Sequence, residues 1–228
     1  MMIDEMQSTY VEAAIAILEE LGINVLIDQD AITYLNQYKE TRFCRPDGIL
    51  DIELSNFDRK SFYRLIAMNK QREIVAYCAA RLVNFKNDLI NDAKLLPPPH
   101  PVEDWSTNCH VEFKGEELNR ISGRTIYLGG LWVRPNVNLP QIAILMPRLL
   151  ASAITSHCRD PINWIWGIFD LKAGIHLGRI YGFDEHRKIE IRMHRNVGTS
   201  FQRIECLADQ ALSWASPARY FSGLATAL

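Results

Sequence analysis

The stretch GGLWVRPNVNLPQIAILMPRLL, Gly129 to Leu150, decides how the fold is read. An apolar strand carrying two glycines ends at Pro135-Asn136, and apolar residues then recur at helical spacing: Ile142, Leu145, Met146, Leu149 and Ala153. Strand, turn and helix in succession set a helix N-terminus, with unpaired N–H groups and a partial positive charge, beyond a strand end. That arrangement suits an anion such as a pyrophosphate. Gly129 and Gly130 weaken a strand without supplying packing, so a bulge or a close approach by another backbone or a ligand is expected there. Pro140 removes one donor near the helix start, and Pro147 predicts a kink near residue 143.

Outward from this stretch, helices are expected over 5–21, stopped by Gly22, and over 29–39. Ile49 to Leu54 alternates apolar and acidic residues and reads as a strand, after which Asp58 caps a short helix through Ile66. Glu73 to Phe85 is the next strand. Residues 86–120, with LLPPPHP from Leu95 to Pro101, form an irregular surface excursion. Then follow a strand over 125–133, a helix over 139–157, a strand over 162–169, a helix over 171–181, a strand over 188–194 and a last arm from Phe201 to Leu207. Strands alternating with helices define an α/β class with a mixed sheet. Three parts are expected: an N-terminal helical extension (1–47), a central domain (48–207) and a polar, small-residue tail (208–228).

Of the 228 residues 48% are hydrophobic, enough for a substantial core, and the net charge of −2 leaves no basic surface for nucleic acid or an anionic membrane. No apolar run reaches the ~18 residues of a membrane span, and the chain starts with Asp4 and Glu5 rather than a basic leader. The five cysteines form no Cys-x-x-Cys pair, which fits reduced thiols and a cytoplasmic location. His100 and His110 lie near Glu103, Asp104 and Glu112 with no ligand spacing, so no metal is expected.

Leu131-Trp132-Val133-Arg134-Pro135 resembles the end of the fourth strand of the GNAT acyltransferase superfamily, and RIYGF at Arg179–Phe183 resembles the Gly-Phe that ends its last helix. NWIWGIFD takes the place of the fifth strand and KIEIRMH that of the strand after the helix. The resemblance covers residues 48 to 195. It implies a mixed, mostly antiparallel central sheet with helices on both faces, and an enzyme that moves an acyl group from acetyl-CoA or another acyl-CoA to a small-molecule amine. Aligned with the family's pyrophosphate loop, Asn138 takes the Gln/Arg position, Gln141 the first Gly and Ala143 the last. Leu131, Trp132, Val133, Asn138, Gln141, Ile142, Ala143, Gly174 and Gly178 are therefore the expected coenzyme contacts. Gly174, Gly178 and Gly182 share one helix face, open either to the pantetheine arm or to a neighbouring backbone, and Gly167 offers the same choice.

The same resemblance assigns protonation of the leaving thiolate to a tyrosine at the position of Gly178, for which Tyr181 is the substitute. Asp170, His176, Glu190 and His194 are the candidates for the base that deprotonates the amine, and Asp170 is also placed to cap the helix. LDIELSNFDRKSFYRLIAMNKQREIVAYCAARL is similar in layout to the autoinducer synthases, which take the acyl group from acyl carrier protein, although their Glu-x-x-Arg is absent from IYLGGLWVRPN. A third reading is a degenerate GNAT fold serving as a binding or assembly module, with Trp132, Trp164 or Trp166 filling the cleft. The extension and the tail are expected to cover the acceptor site or a dimer interface.

Overall fold

The computed structural model describes residues 2–42, 46–55, 57–93, 96–97, 109–115, 117–137, 139–197 and 200–222. In chain order these form α1 (Met2–Glu20), β1 (Asn24–Asp28), α2 (Ala31–Arg42), α3 (Ile52–Ser55), β2 (Phe62–Met68), β3 (Ile74–Phe85) and α4 (Leu89–Asp92). Then come β4 (Cys109–Lys114), β5 (Gly123–Val133), α5 (Pro140–His157), β6 (Trp164–Asp170), α6 (Leu171–Tyr181), β7 (Glu185–Val197), β8 (Ser200–Ala215) and α7 (Pro217–Ser222). The eight strands make one sheet in the order β1-β2-β3-β5-β6-β8-β7-β4. Every pairing is antiparallel except β5 with β6.

Apolar layers cover both faces. Tyr10, Ala14 and Leu18 of α1, the buried stripe of α5 and Tyr181 pack on one face. Ala31 and Tyr34 of α2, Leu89 of α4, Phe62, Tyr77, Trp166 and Trp214 pack on the other. α5 carries its apolar stripe through Pro147, which is itself buried, so packing on the sheet offsets the hydrogen bond that proline removes.

Four expectations are corrected. Residues 49–54 are not a strand: the Asp47 carboxylate accepts from Leu50 N–H (3.2 Å), and that of Asp51 accepts from Glu53 and Leu54 N–H (2.9 and 3.3 Å), folding the segment into turns and α3. Asp58 does cap, accepting from Lys60 N–H, but closes only one 3-10 turn before Phe62 begins β2. The short run FYRLIAM is strand because β1 and β3 flank it, and periodicity alone does not separate a buried strand from a buried helix. Within the excursion after Phe85, α4 and β4 form, and β4 crosses to the far edge of the sheet beside β7. The stretch read as a tail supplies the second half of β8, between β6 and β7, with Ala211, Leu212 and Trp214 buried.

The sheet also runs through both expected boundaries, since β1 comes from the N-terminal extension and β8 continues past residue 207. No helix among the described residues is long and apolar enough to cross a membrane.

Candidate active site

β5 and β6 run side by side for three residue pairs, Thr125–Tyr127 against Trp164–Trp166. Beyond them β5 stays with β3 and β6 stays with β8, and the pairing between the two parallel strands stops, leaving a gap. Because both strands run the same way, the helices that follow them, α5 and α6, start at the open end.

β5 carries a bulge where the gap begins. Ala79 faces Gly129 and Tyr77 faces Trp132, so Gly130 and Leu131 share the single partner Cys78. Gly130 is held at φ +62°, and a Cβ there would overlap the Tyr34 hydroxyl of α2. Both the backbone and the space at this position require glycine. The Arg42 guanidinium, at the end of α2, donates to the Leu131 carbonyl at 2.7 Å and lies over the Tyr38 ring. Tyr77 stacks on Trp132 at 5.2 Å, and its hydroxyl shares a short hydrogen bond with Thr41.

No acidic residue lies on β5, yet a carboxylate reaches its face. Asp47, in the turn after α2, puts an oxygen 3.2 Å from where a Gly129 Cβ would stand, and it accepts from the Tyr127 hydroxyl and Leu50 N–H. Burial pushes its carboxyl up to about 7, with help from the nearby Asp51 charge and against the hydrogen bonds it accepts. Burial likewise lowers the Arg81 guanidinium to about 10, while Asp47 opposes that shift. Arg81 donates to the Ile49 carbonyl at 3.0 Å and lies over Phe57 at 4.3 Å.

Tyr181 approaches from the opposite face. It is buried, edge-on to Phe169 of β6 at 5.1 Å, and burial raises its phenol far above the ordinary range. The Arg42 charge at the end of α2 opposes that shift.

The other sequence candidates fall into place around this gap or away from it. Leu131, Trp132 and Val133 are half-buried along β5 at its edge. Asn138 lies outside the described residues, Gln141 is exposed at the start of α5, Ala143 is half-buried and Ile142 is wholly buried in the core. Pro140 occupies the first turn of α5, where its missing N–H would have had no intrahelical partner, so it removes less than its position in the sequence suggests. Asp170 ends β6 and is exposed; His176 is exposed on α6.

The side-chain surroundings of Gly174 lie outside the described residues. Those of Gly178 do not: a Cβ there would meet Ser213 Oγ and the His186 ring within 3 Å, and one at Gly167 would meet the Leu128 carbonyl at 2.9 Å. At both positions a neighbouring protein group fills the space. Glu190 pairs with Arg192, and His194 lies 3.2 Å from Glu112 across β4 and β7, two strands from the gap. His100, Glu103 and Asp104 lie outside the described residues, as does the His110 side chain. Trp166 sits beneath the sheet against Tyr127 and Phe85. Asp47, Arg42, Tyr34 and Tyr127 meet at or beside the bulge, and the sequence reading singled out none of them.

From β5 to β7 the elements follow the order that the resemblance implies, with the parallel strands β5 and β6 joined by α5. The fold is GNAT-like. No protein-family model matches the chain, and no curated protein matches it in sequence. Among solved structures it is similar to NAA60 of Arabidopsis thaliana in complex with acetyl-CoA (12% identity, 85% of this chain and 98% of that chain, TM-score 0.44). It is also similar to a phosphinothricin acetyltransferase of Sinorhizobium meliloti in complex with acetyl-CoA (11%, 86% and 88%, 0.45). A third is a chimera of spermidine N-acetyltransferase SpeG from Vibrio cholerae and hSSAT (10%, 88% and 99%, 0.44).

Proposed function

We propose that the chain is an N-acyltransferase that moves an acyl group from an acyl-CoA thioester to a small-molecule amine. The observation that carries this reading is the parting of β5 and β6 beside a bulge, with two helix starts at the open end. From Gly129 to Val133 β5 no longer pairs with β6, which opens this side of the strand to the amides of a pantetheine arm. The exposed start of α5 at Pro140–Gln141 suits the phosphates, as helix N-termini do.

In this reading Asp47 takes the proton as the amine nitrogen attacks the thioester carbonyl. The carbon–nitrogen bond forms, the carbon–sulfur bond breaks, and Tyr181, protonated at any working pH, gives its proton to the leaving thiolate. A backbone N–H between Leu131 and Val133 meets the oxyanion. Asp47 replaces Asp170 and His176 as base because it is the carboxylate at the bulge and ionises near neutrality.

The test is thermal unfolding with and without millimolar acetyl-CoA and longer acyl-CoA thioesters, followed by thiol release with a panel of amines. A saturable rise in Tm with at least one thioester is expected. No shift with any of them removes the free coenzyme donor and leaves an acyl-carrier-protein donor or a binding module.

A further inference from the structure

On the face of the sheet away from Asp47, four buried polar atoms have no hydrogen-bond partner among the described residues: Tyr10 Oη, Arg148 Nη1, Ser152 Oγ and Tyr220 Oη. They converge. Arg148 and Ser152 stand one turn apart on α5, Tyr10 comes from α1 and Tyr220 from α7. The Tyr220 ring and the Arg148 guanidinium both lie within 3.4 Å of where a Gly182 Cβ would be, and the Arg148 charge acts on the Tyr10 and Tyr220 phenols. Arg148 is 8% exposed, Tyr10 2%, and Ser152 and Tyr220 not at all.

The partners of the guanidinium are neutral. Nε and Nη2 donate to the carbonyls of Ile180 and Arg179 at 3.3 and 3.4 Å, capping α6, and no carboxylate pairs with Arg148 among the described residues. A buried charge without a counter-charge and three buried hydroxyls without partners, as found among the described residues, are each strongly unfavourable. We propose that α1, α5 and α7 enclose a site for one small monovalent anion such as chloride, with Arg148 as its positive pole and the hydroxyls of Tyr10, Ser152 and Tyr220 as donors. Water would satisfy the hydroxyls and leave the charge uncompensated. A dianion would exceed the single positive charge available. Burial keeps both phenols protonated, up to about 12 for Tyr10, so they act as donors. This inference is independent of the acyl-transfer reading.

The experiment is thermal unfolding of the full chain at constant ionic strength while gluconate is replaced by chloride or bromide, together with anomalous diffraction from crystals grown in bromide. A saturable rise in Tm with either halide and an anomalous peak beside Arg148 are expected. Tyr220→Phe and Ser152→Ala, which keep the packing nearly unchanged, are expected to raise the half-saturating halide concentration several-fold. Arg148→Met is expected to abolish the halide effect. A Tm that follows ionic strength alone, or a bromide crystal with only water at the site, overturns the proposal.

Discussion

At the scale of single residues, Asp47 ties the proposed chemistry to stability. Its carboxyl ionises near 7 in the folded chain and near 3.8 when exposed, so between those pH values the native state holds a proton that the unfolded state has lost. The contribution of Asp47 to stability is therefore full below about pH 4 and falls as pH rises toward 7, by up to ~4 kcal/mol for the whole shift. Asp47→Asn is expected to be more stable than the parent in urea at pH 8, with the difference closing at pH 4. It is also expected to lose acyl transfer by ~10²- to 10⁴-fold, the usual contribution of a general base, and to flatten a parent rate profile that rises through pH 7. An unchanged pH profile in the variant would refute the assignment.

Gly130 is the second residue on which the site turns. Gly130→Ala meets both a left-handed backbone, worth ~1–2 kcal/mol, and the Tyr34 hydroxyl, so a loss of at least ~2 kcal/mol is expected in chemical denaturation. Tyr34→Phe removes a buried hydroxyl that has no partner among the described residues and is expected to change stability by less than ~1 kcal/mol. Combined with Gly130→Ala it is expected to recover part of the loss. Simple additivity in that cycle would mean that the hydroxyl and the bulge do not interact.

At the scale of elements, the start of α5 carries Gln141 where the resembled family has glycine. Its side chain is exposed at the start of α5, and under the proposed acyl-CoA reading its removal lets a phosphate approach the backbone more closely. Gln141→Gly is expected to tighten acyl-CoA binding several-fold by titration calorimetry while lowering Tm slightly, since glycine costs up to ~1 kcal/mol in a helix. Unchanged or weaker binding would place the phosphates elsewhere. The strand, turn and helix of this region were legible because each is long and strongly patterned: β5, α5 and α6 begin and end close to where the sequence puts them. β1, β2 and β4 were not. Five to seven residues carry too little periodicity, and the Asp47 and Asp51 carboxylates turn an alternating segment into local caps.

At the scale of the whole molecule, the ends of the chain complete the sheet. Truncation after Leu207 removes the half of β8 that joins β6 to β7, along with α7, and is expected to abolish cooperative unfolding by circular dichroism. Removal of residues 1–29 uncovers the layer under Tyr10, Ala14 and Leu18 and strips the edge strand β1, and is expected to lower Tm markedly while leaving a folded sheet. A folded, fully stable 1–207 fragment would contradict the continuous sheet.

By itself the sequence determined the α/β class, the strand-helix order from β5 to β7 and the weak point at Gly129-Gly130, because local periodicity, proline and glycine act within a few residues of themselves. Only the tertiary structure decided which carboxylate stands at the bulge, what fills the space above Gly178, and that Arg148 is buried among Tyr10, Ser152 and Tyr220. Those are contacts between segments far apart in the chain. Hydrophobic burial on the two faces of one sheet brings them together, and no spacing along the sequence records that.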